Sequence, residues 1–340
     1  MRGIKFFFFI FLFSNFLFSE NVIDYVRFFS SLKSRVPGYE GHKKALNFIE
    51  EKFKQAGLKN IKKEKFTVAV PVEKEAYLEY NGKRIKLHCL WPNLVRTPTT
   101  PPEGIEGILI YGKDGDLRNF EGKDLKKSIV VLDFNSASRW TTLSMLGVKA
   151  FIFLESDDIS REEAERKFLS VPLNVPRFYV TKENIPQILK LARNESKVKI
   201  YGRMDLENVT DYNIYGFMEG KDENLKKEII IIESFYDSIS VVPSIAPGAD
   251  GSCGISVLLD ILDYFKKHPP KRSIIFLATS SHYQSLKGID KFVNRHLRNM
   301  EPFKSRLWHQ ALIALFIILI IIVLIFLIAR KAGGGVYGAE

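Results

Sequence analysis

Three short stretches in the second half of the chain hold residue types that can do chemistry: FYDS at 235–238, PGADGSCG at 247–254 and SSHYQ at 280–284. Asp237, Asp250 and His282 are oxygen and nitrogen donors, and one metal ion could sit among them. Ser280, Ser281 and His282 invite comparison with a serine hydrolase. A serine triad also needs an oriented acid and an oxyanion hole. No Asp or Glu lies between Tyr264 and Ile289, and no G-x-S-x-G elbow occurs. The plainer reading is that Asp237 and Asp250 hold the hydrogen bonds of their loops, and that His282 is an exposed loop residue. Cys89 and Cys253 are the only two cysteines. They read as two independent buried thiols rather than as a disulfide closing so long a loop across the chain.

The elements that must position these stretches read as alternating strand and helix. EIIIIES at 228–234 is a continuous β-branched run, expected to be a strand buried on both faces. An amphipathic helix is predicted over 255–267 and a strand over 273–279. Strand, helix and strand in that order imply a parallel pair with a right-handed crossover. The loops 235–252 and 280–287 would then lie together at the carboxyl ends of the strands, where ligands bind in open α/β sheets.

Further upstream, helical spacing recurs over 22–32 and again over 45–53, ending at Gly57. A short strand over 65–70 follows. After a proline-rich connection at 92–104 come strand-like runs at 108–111, 128–133, 150–154 and 175–180. Many short strands with few helices suggest a β-rich module inserted into the host domain.

The runs IIIIESFYDS, PGADGSCGISVLLDIL and RSIIFLATSSHYQSLKGIDKFV resemble metallopeptidase family 28, the zinc aminopeptidases and their relatives. RVPGYEGHKKALNFIEEKFKQAGL is similar to that family's N-terminal helix. EGKDLKKSIVVLDFNSASRWTTLSMLGVKAFIFLE resembles a protease-associated domain. The resemblance implies a zinc aminopeptidase-like α/β fold shortened at its C-terminal end. It has a mixed, mostly parallel sheet flanked by helices and a β-rich protease-associated-like insert. The implied division is 20–70 and 206–303 for the peptidase-like domain and 71–205 for the insert. By position, Asp250 matches the bridging carboxylate of a two-zinc site and Asp237 the Asp that orients the first His ligand. That ligand is replaced by Phe235, the second Asp of the family's PGADD by Gly251, and the Glu-Glu pair by His282 and Tyr283. The resemblance thus supplies no confident catalytic residue, and most of the metal ligands are missing.

Both ends of the chain carry apolar segments. FFFFIFLFSNFLF follows Arg2 and Lys5 and reads as a secretory signal over 1–19. Residues 311–329 are continuously apolar, predicting a transmembrane helix over 308–331 with a tail at 332–340. Together they imply a single-pass membrane protein with an exported ectodomain. The chain has 340 residues and a formal net charge of +11, but no nucleic-acid motif is visible. The sequence reading is therefore a membrane-anchored, peptidase-like ectodomain without catalysis, which needs no cofactor and binds a protein or peptide. One alternative is a zinc-dependent aminopeptidase with a divergent site. Another is a truncated member of a larger multi-span membrane protein, whose shortened sheet would expose an edge.

Overall fold

The computed structural model describes residues 20–93, 96–167, 173–246, 250–298, 310 and 312–321. The signal expected at 1–19 and the tail at 332–340 lie outside the described residues. The chain divides into two units, Met1–Gly288 and Ile289–Glu340.

In the first unit the order is α1 (Glu20–Ser31), α2 (Glu40–Gln55), β1 (Lys59–Tyr80), β2 (Lys83–Lys86), β3 (His88–Cys89), β4 (Ile105–Tyr111), β5 (Ser128–Asp133), α3 (Arg139–Met145), β6 (Ala150–Leu154), α4 (Arg161–Glu165), β7 (Arg177–Val180), α5 (Ile185–Arg193), β8 (Lys197–Met218), β9 (Ile229–Phe235), α6 (Asp250–Lys267) and β10 (Ser273–Thr279). In α2 the buried residues Ala45, Leu46, Ile49 and Phe53 form one stripe. Glu40 in its first turn and Lys52 and Lys54 in its last complement the helix dipole. Gly57, at φ +74°, turns the chain out of the helix.

All ten strands belong to one mixed sheet. Its spine is the antiparallel ribbon of β1 and β8, each 22 residues long. The strand expected over 65–70 is thus only the middle of β1. The ribbon continues because Pro71 sits at a sheet position facing Leu206 and the pairing runs on past it to Glu79. On one half of the ribbon, β8 pairs β4, and β4, β5, β6 and β7 run parallel. On the other half, β8 pairs β10, and β10 pairs β9 in parallel. The parallel strand–helix–strand unit expected around α6 is therefore present.

The segment between the halves of the ribbon has four parallel strands accompanied by three short helices, α3, α4 and α5. Its core is α/β in character, with Ile188 and Ala192 of α5 packed on Leu109, Ile129 and Ile152. One expectation is corrected: the EIIIIES strand is not buried on both faces. β9 is the last strand on its side of the sheet, and Ile229, Ile230 and Ile231 are exposed.

The half of the sheet that carries β9 and β10 has its own core, where Phe29, Phe53, Ile214, Leu258 and Phe276 meet. Phe66, Val68 and Val70 form a small apolar cluster midway along the ribbon. In the second unit, residues 310 and 312–321 are helical, and Leu312 to Ile321 are exposed. No helix among the described residues is long and apolar enough to cross a membrane. Much of the predicted span at 308–331 lies outside them.

Candidate functional site

Parallel pairing of Thr279 with Phe235 brings the ends of β9 and β10 side by side. The chain leaves them as the loops 236–246 and 280–287, so two of the chemically interesting stretches meet, as the topology requires. Asp250 opens α6; its side chain lies outside the described residues. Gly251 faces Arg35: a Cβ there would stand 3.2 Å from Arg35 Nη2 and 3.2 Å from the Asp237 carbonyl oxygen.

Asp237 is fully buried. Its carboxylate accepts the main-chain N–H of His282 at 3.0 and 3.2 Å. Burial pushes its pKa up to about 7, against the opposing pull of the His282 and Tyr283 N–H groups. Ser281 precedes His282 with a φ of +54°, in the left-handed region, and its Oγ donates to Asp211 Oδ2 at 2.5 Å. That bond holds the turn that aims the His282 N–H at Asp237.

Phe235, His282 and Tyr283 form an aromatic cluster. The Phe235 ring stacks on the His282 imidazole at 3.9 Å between centroids, and Tyr283 meets both rings edge-on at 5.7 and 5.0 Å. The three residues named for the missing ligands are therefore neighbours, held to one another by ring contacts.

Behind this cluster lies a network that sequence reasoning missed. His42 of α2, Asp211 of β8, Ser280 and Ser281 are all buried. His42 Nε2 lies 2.8 Å from Ser280 Oγ and 3.3 Å from Asp211 Oδ1. The imidazole also stacks on Tyr236, whose hydroxyl donates to the Tyr212 carbonyl. Burial lowers the His42 pKa, with Asp211 opposing and Arg35 adding to the fall. In a serine triad, base and acid use opposite imidazole nitrogens. Here Ser280 and Asp211 both approach Nε2, so the group reads as a buried polar network. Its members lie 169 or more positions apart from His42 in the chain, and no local motif marks them. The only sequence signal was the unusual run of polar residues, Thr279–Ser280–Ser281, ending an apolar strand.

Asn213 ties the second loop down. Its Nδ2 donates to Glu64 and to the Gly288 carbonyl, and its Oδ1 accepts from the Ser280 N–H. Arg35, also buried, donates from Nε to the Tyr236 carbonyl and from Nη1 to the Phe29 carbonyl. Burial pushes its guanidinium down to about 10, with the charge of Asp237 partly offsetting this.

The segment between β1 and β8 also reaches the site. Val241 and Val242 of the first loop pack into its core. The Trp91 N–H donates to the Val241 carbonyl, while Ser244 contacts both His88 and Glu73. On the other side of Asp211, a cleft of about 380 Å³ is lined by Tyr39, His42, Lys43, Lys63 and Tyr212, among others. Neither cysteine forms a disulfide; Cys89 is buried as expected, but Cys253, on the outer face of α6, is exposed.

Residues 213–307 match Peptidase family M28. A vacuolar membrane protease of Laccaria bicolor is 34% identical over 89 residues, covering 26% of this chain and 8% of that protein. Two solved structures share the fold. A zinc aminopeptidase from Bacillus subtilis has a TM-score of 0.53 and 20% identity, over 84% of this chain and 66% of that one. A Peptidase M28 precursor from Shewanella amazonensis SB2B has a TM-score of 0.51 and 17% identity, over 82% and 67%. The chain thus spans about two thirds of these structures and a small fraction of the curated relative. The fold is the one these peptidase structures have, and the family resemblance read from the sequence is matched over residues 213–307.

Proposed function

We propose that this chain is a membrane-anchored, peptidase-like binding module that does not hydrolyse peptides. The observation that carries the reading is the stack of Phe235 on His282. Two zinc ions need a shared carboxylate and further ligands with free lone pairs converging on one space. At the positions that the resemblance assigns to the first His ligand and the Glu pair, this chain places a hydrocarbon ring, an imidazole stacked against it and a phenol. The Asp237 carboxylate, which would orient a His ligand, instead holds the His282 main chain. Among the described residues, no three His, Cys, Asp or Glu side chains gather as metal ligands. This donor set does not suit a two-zinc centre.

The anchoring part of the proposal rests on the apolar run 311–329. The short match to a vacuolar membrane protease is in keeping with a membrane setting. The inserted segment, read as protease-associated-like, contributes Val241 contacts beside the site and suits a protein or peptide partner better than a small molecule.

The test is zinc content and aminopeptidase activity of the full chain purified in detergent. We expect substoichiometric zinc and no hydrolysis that chelation abolishes. Tightly bound zinc at two ions per chain, together with chelator-sensitive cleavage of aminopeptidase substrates, would replace this reading with that of a divergent zinc aminopeptidase.

A further inference from the structure

β4, β5 and β6 run parallel, so their carboxyl ends lie together at one end of the sheet. Ligands of open α/β sheets bind at such ends. A cavity of about 460 Å³ lies there, beside α5, within the size range of ligand pockets. None of its lining residues belongs to the loops after β9 and β10.

The lining is part apolar and part acidic. Leu154 at the end of β6, and Ile185 and Leu189 one turn apart on α5, supply the apolar wall. Asp133 ends β5, Glu155 follows β6, and Asn135 stands in the loop after β5. Asp133 is paired with Leu154 in the parallel ladder, so the two carboxylates come from neighbouring strand ends.

Each polar side chain is fixed through one of its atoms. The Tyr111 hydroxyl donates to Asp133 Oδ1 at 2.7 Å. Burial and this bond push the Tyr111 pKa up to about 12, so the hydroxyl remains a donor at neutral pH. Glu155 Oε2 accepts the Lys182 main-chain N–H at 2.7 Å, and Asn135 Nδ2 donates to the Asp158 carbonyl at 2.7 Å. Among the described residues, Asp133 Oδ2, Glu155 Oε1 and Asn135 Oδ1 are left without a partner, and neither carboxylate forms an ion pair. Asp157 and Asp158, both exposed, follow Glu155 at the rim, and the Lys182 ammonium is taken by Asp157.

We propose that this cavity receives an arginine side chain of a partner protein. A guanidinium carries five N–H donors in one plane and suits three acceptor oxygens spread over adjacent strand ends, whereas a lysine ammonium offers three donors from a single point. The methylene stem lies along the apolar wall. The acidic rim complements a basic segment around the arginine, which favours a protein over a small guanidinium compound. The inference shares with the proposed function only that the chain binds a protein. Zinc content and hydrolysis concern the other loops, so either reading can fail without the other.

The experiment is fluorescence anisotropy of the full chain in non-ionic detergent with a fluorescein-labelled pool of heptapeptide amides, arginine at the central position and the flanking positions randomised. The arginine pool should bind, a lysine pool more weakly, and a norleucine pool not at all. The double variant Asp133→Asn, Glu155→Gln keeps acceptors for Tyr111 and Lys182 while removing both charges, and should weaken binding about tenfold or more. Asn135→Asp adds a charge at an exposed position and should tighten it. Circular dichroism confirms that each variant is folded. No binding of the arginine pool at millimolar concentration overturns the inference, as does equal binding of the norleucine pool or binding that the double variant leaves unchanged. Agmatine that binds as tightly as the arginine pool also overturns it, by making the cavity a small-molecule site.

Discussion

His42 shows how one buried side chain makes stability depend on pH. Its folded pKa lies below the ordinary 6.5 because burial penalises the imidazolium. Around and below that value, the unfolded chain binds a proton that the native state refuses. Its contribution to stability is therefore present above about pH 6.5 and is lost as pH falls. His42→Gln should flatten the acid side of the stability curve, measured by urea unfolding between about pH 7 and pH 5. An unchanged slope would mean that the acid sensitivity arises elsewhere. Asp237 works in the opposite direction: its raised pKa favours the native state at low pH and loses that advantage as pH approaches 7. The comparison of His42→Gln with wild type isolates the histidine. Of the residues singled out in the sequence, Asp237 and His282 by type and Phe235 and Tyr283 by the resemblance, all four do converge. His42 and Asp211 could not be found that way, because one buried histidine among six carries no local signature.

At the scale of elements, the loop after β10 is held by a close approach. A Cβ on Gly288 would stand 2.1 Å from the Ser280 carbonyl oxygen and 2.5 Å from Asn213 Oδ1. Gly288→Ala must push this loop off Asn213, and we expect a loss of about 1–3 kcal/mol, as for other overpacked sites. Denaturant titration reads that loss directly. An effect under half of the lower bound would show that the loop yields without strain. The strand at 273–279 and the helix after PGADG were legible because their apolar periodicity is unbroken. β1 was not: its burial alternates only in part, and charged residues and Pro71 interrupt the pattern. What makes it one strand is the matching length of β8, 120 and more residues later in the chain.

For the whole molecule, the ribbon of β1 and β8 decides how the two cores behave. Leu109 lies in one core and Phe276 in the other, and both are fully buried. Both cores rest on the same two strands, so neither can lose its sheet without disturbing the other. Leu109→Ala should cost about 2–5 kcal/mol and Phe276→Ala about 3–5 kcal/mol. Each is expected to lower the midpoint of one shared transition, seen alike by circular dichroism and by tryptophan fluorescence. Two separated transitions, each responding to only one substitution, would show that the ribbon does not couple the cores.

Alternation and apolar runs, which are local properties, were enough to indicate an α/β chain with strand ends meeting near Asp237 and His282. The absence of carboxylates between Tyr264 and Ile289, on which the proposed lack of peptide hydrolysis partly rests, was likewise legible in the sequence alone. Three features waited on the tertiary structure: the ring stack of Phe235 on His282, the network joining His42 to Asp211 and Ser280, and the exposure of β9. Each depends on which distant segments lie side by side. The isoleucines of β9 show the reason most clearly. Their composition marks a strand that could be buried on both faces, but burial depends on what distant segments pack over it, and among the described residues β9 pairs only with β10 and Ile229 to Ile231 stay exposed.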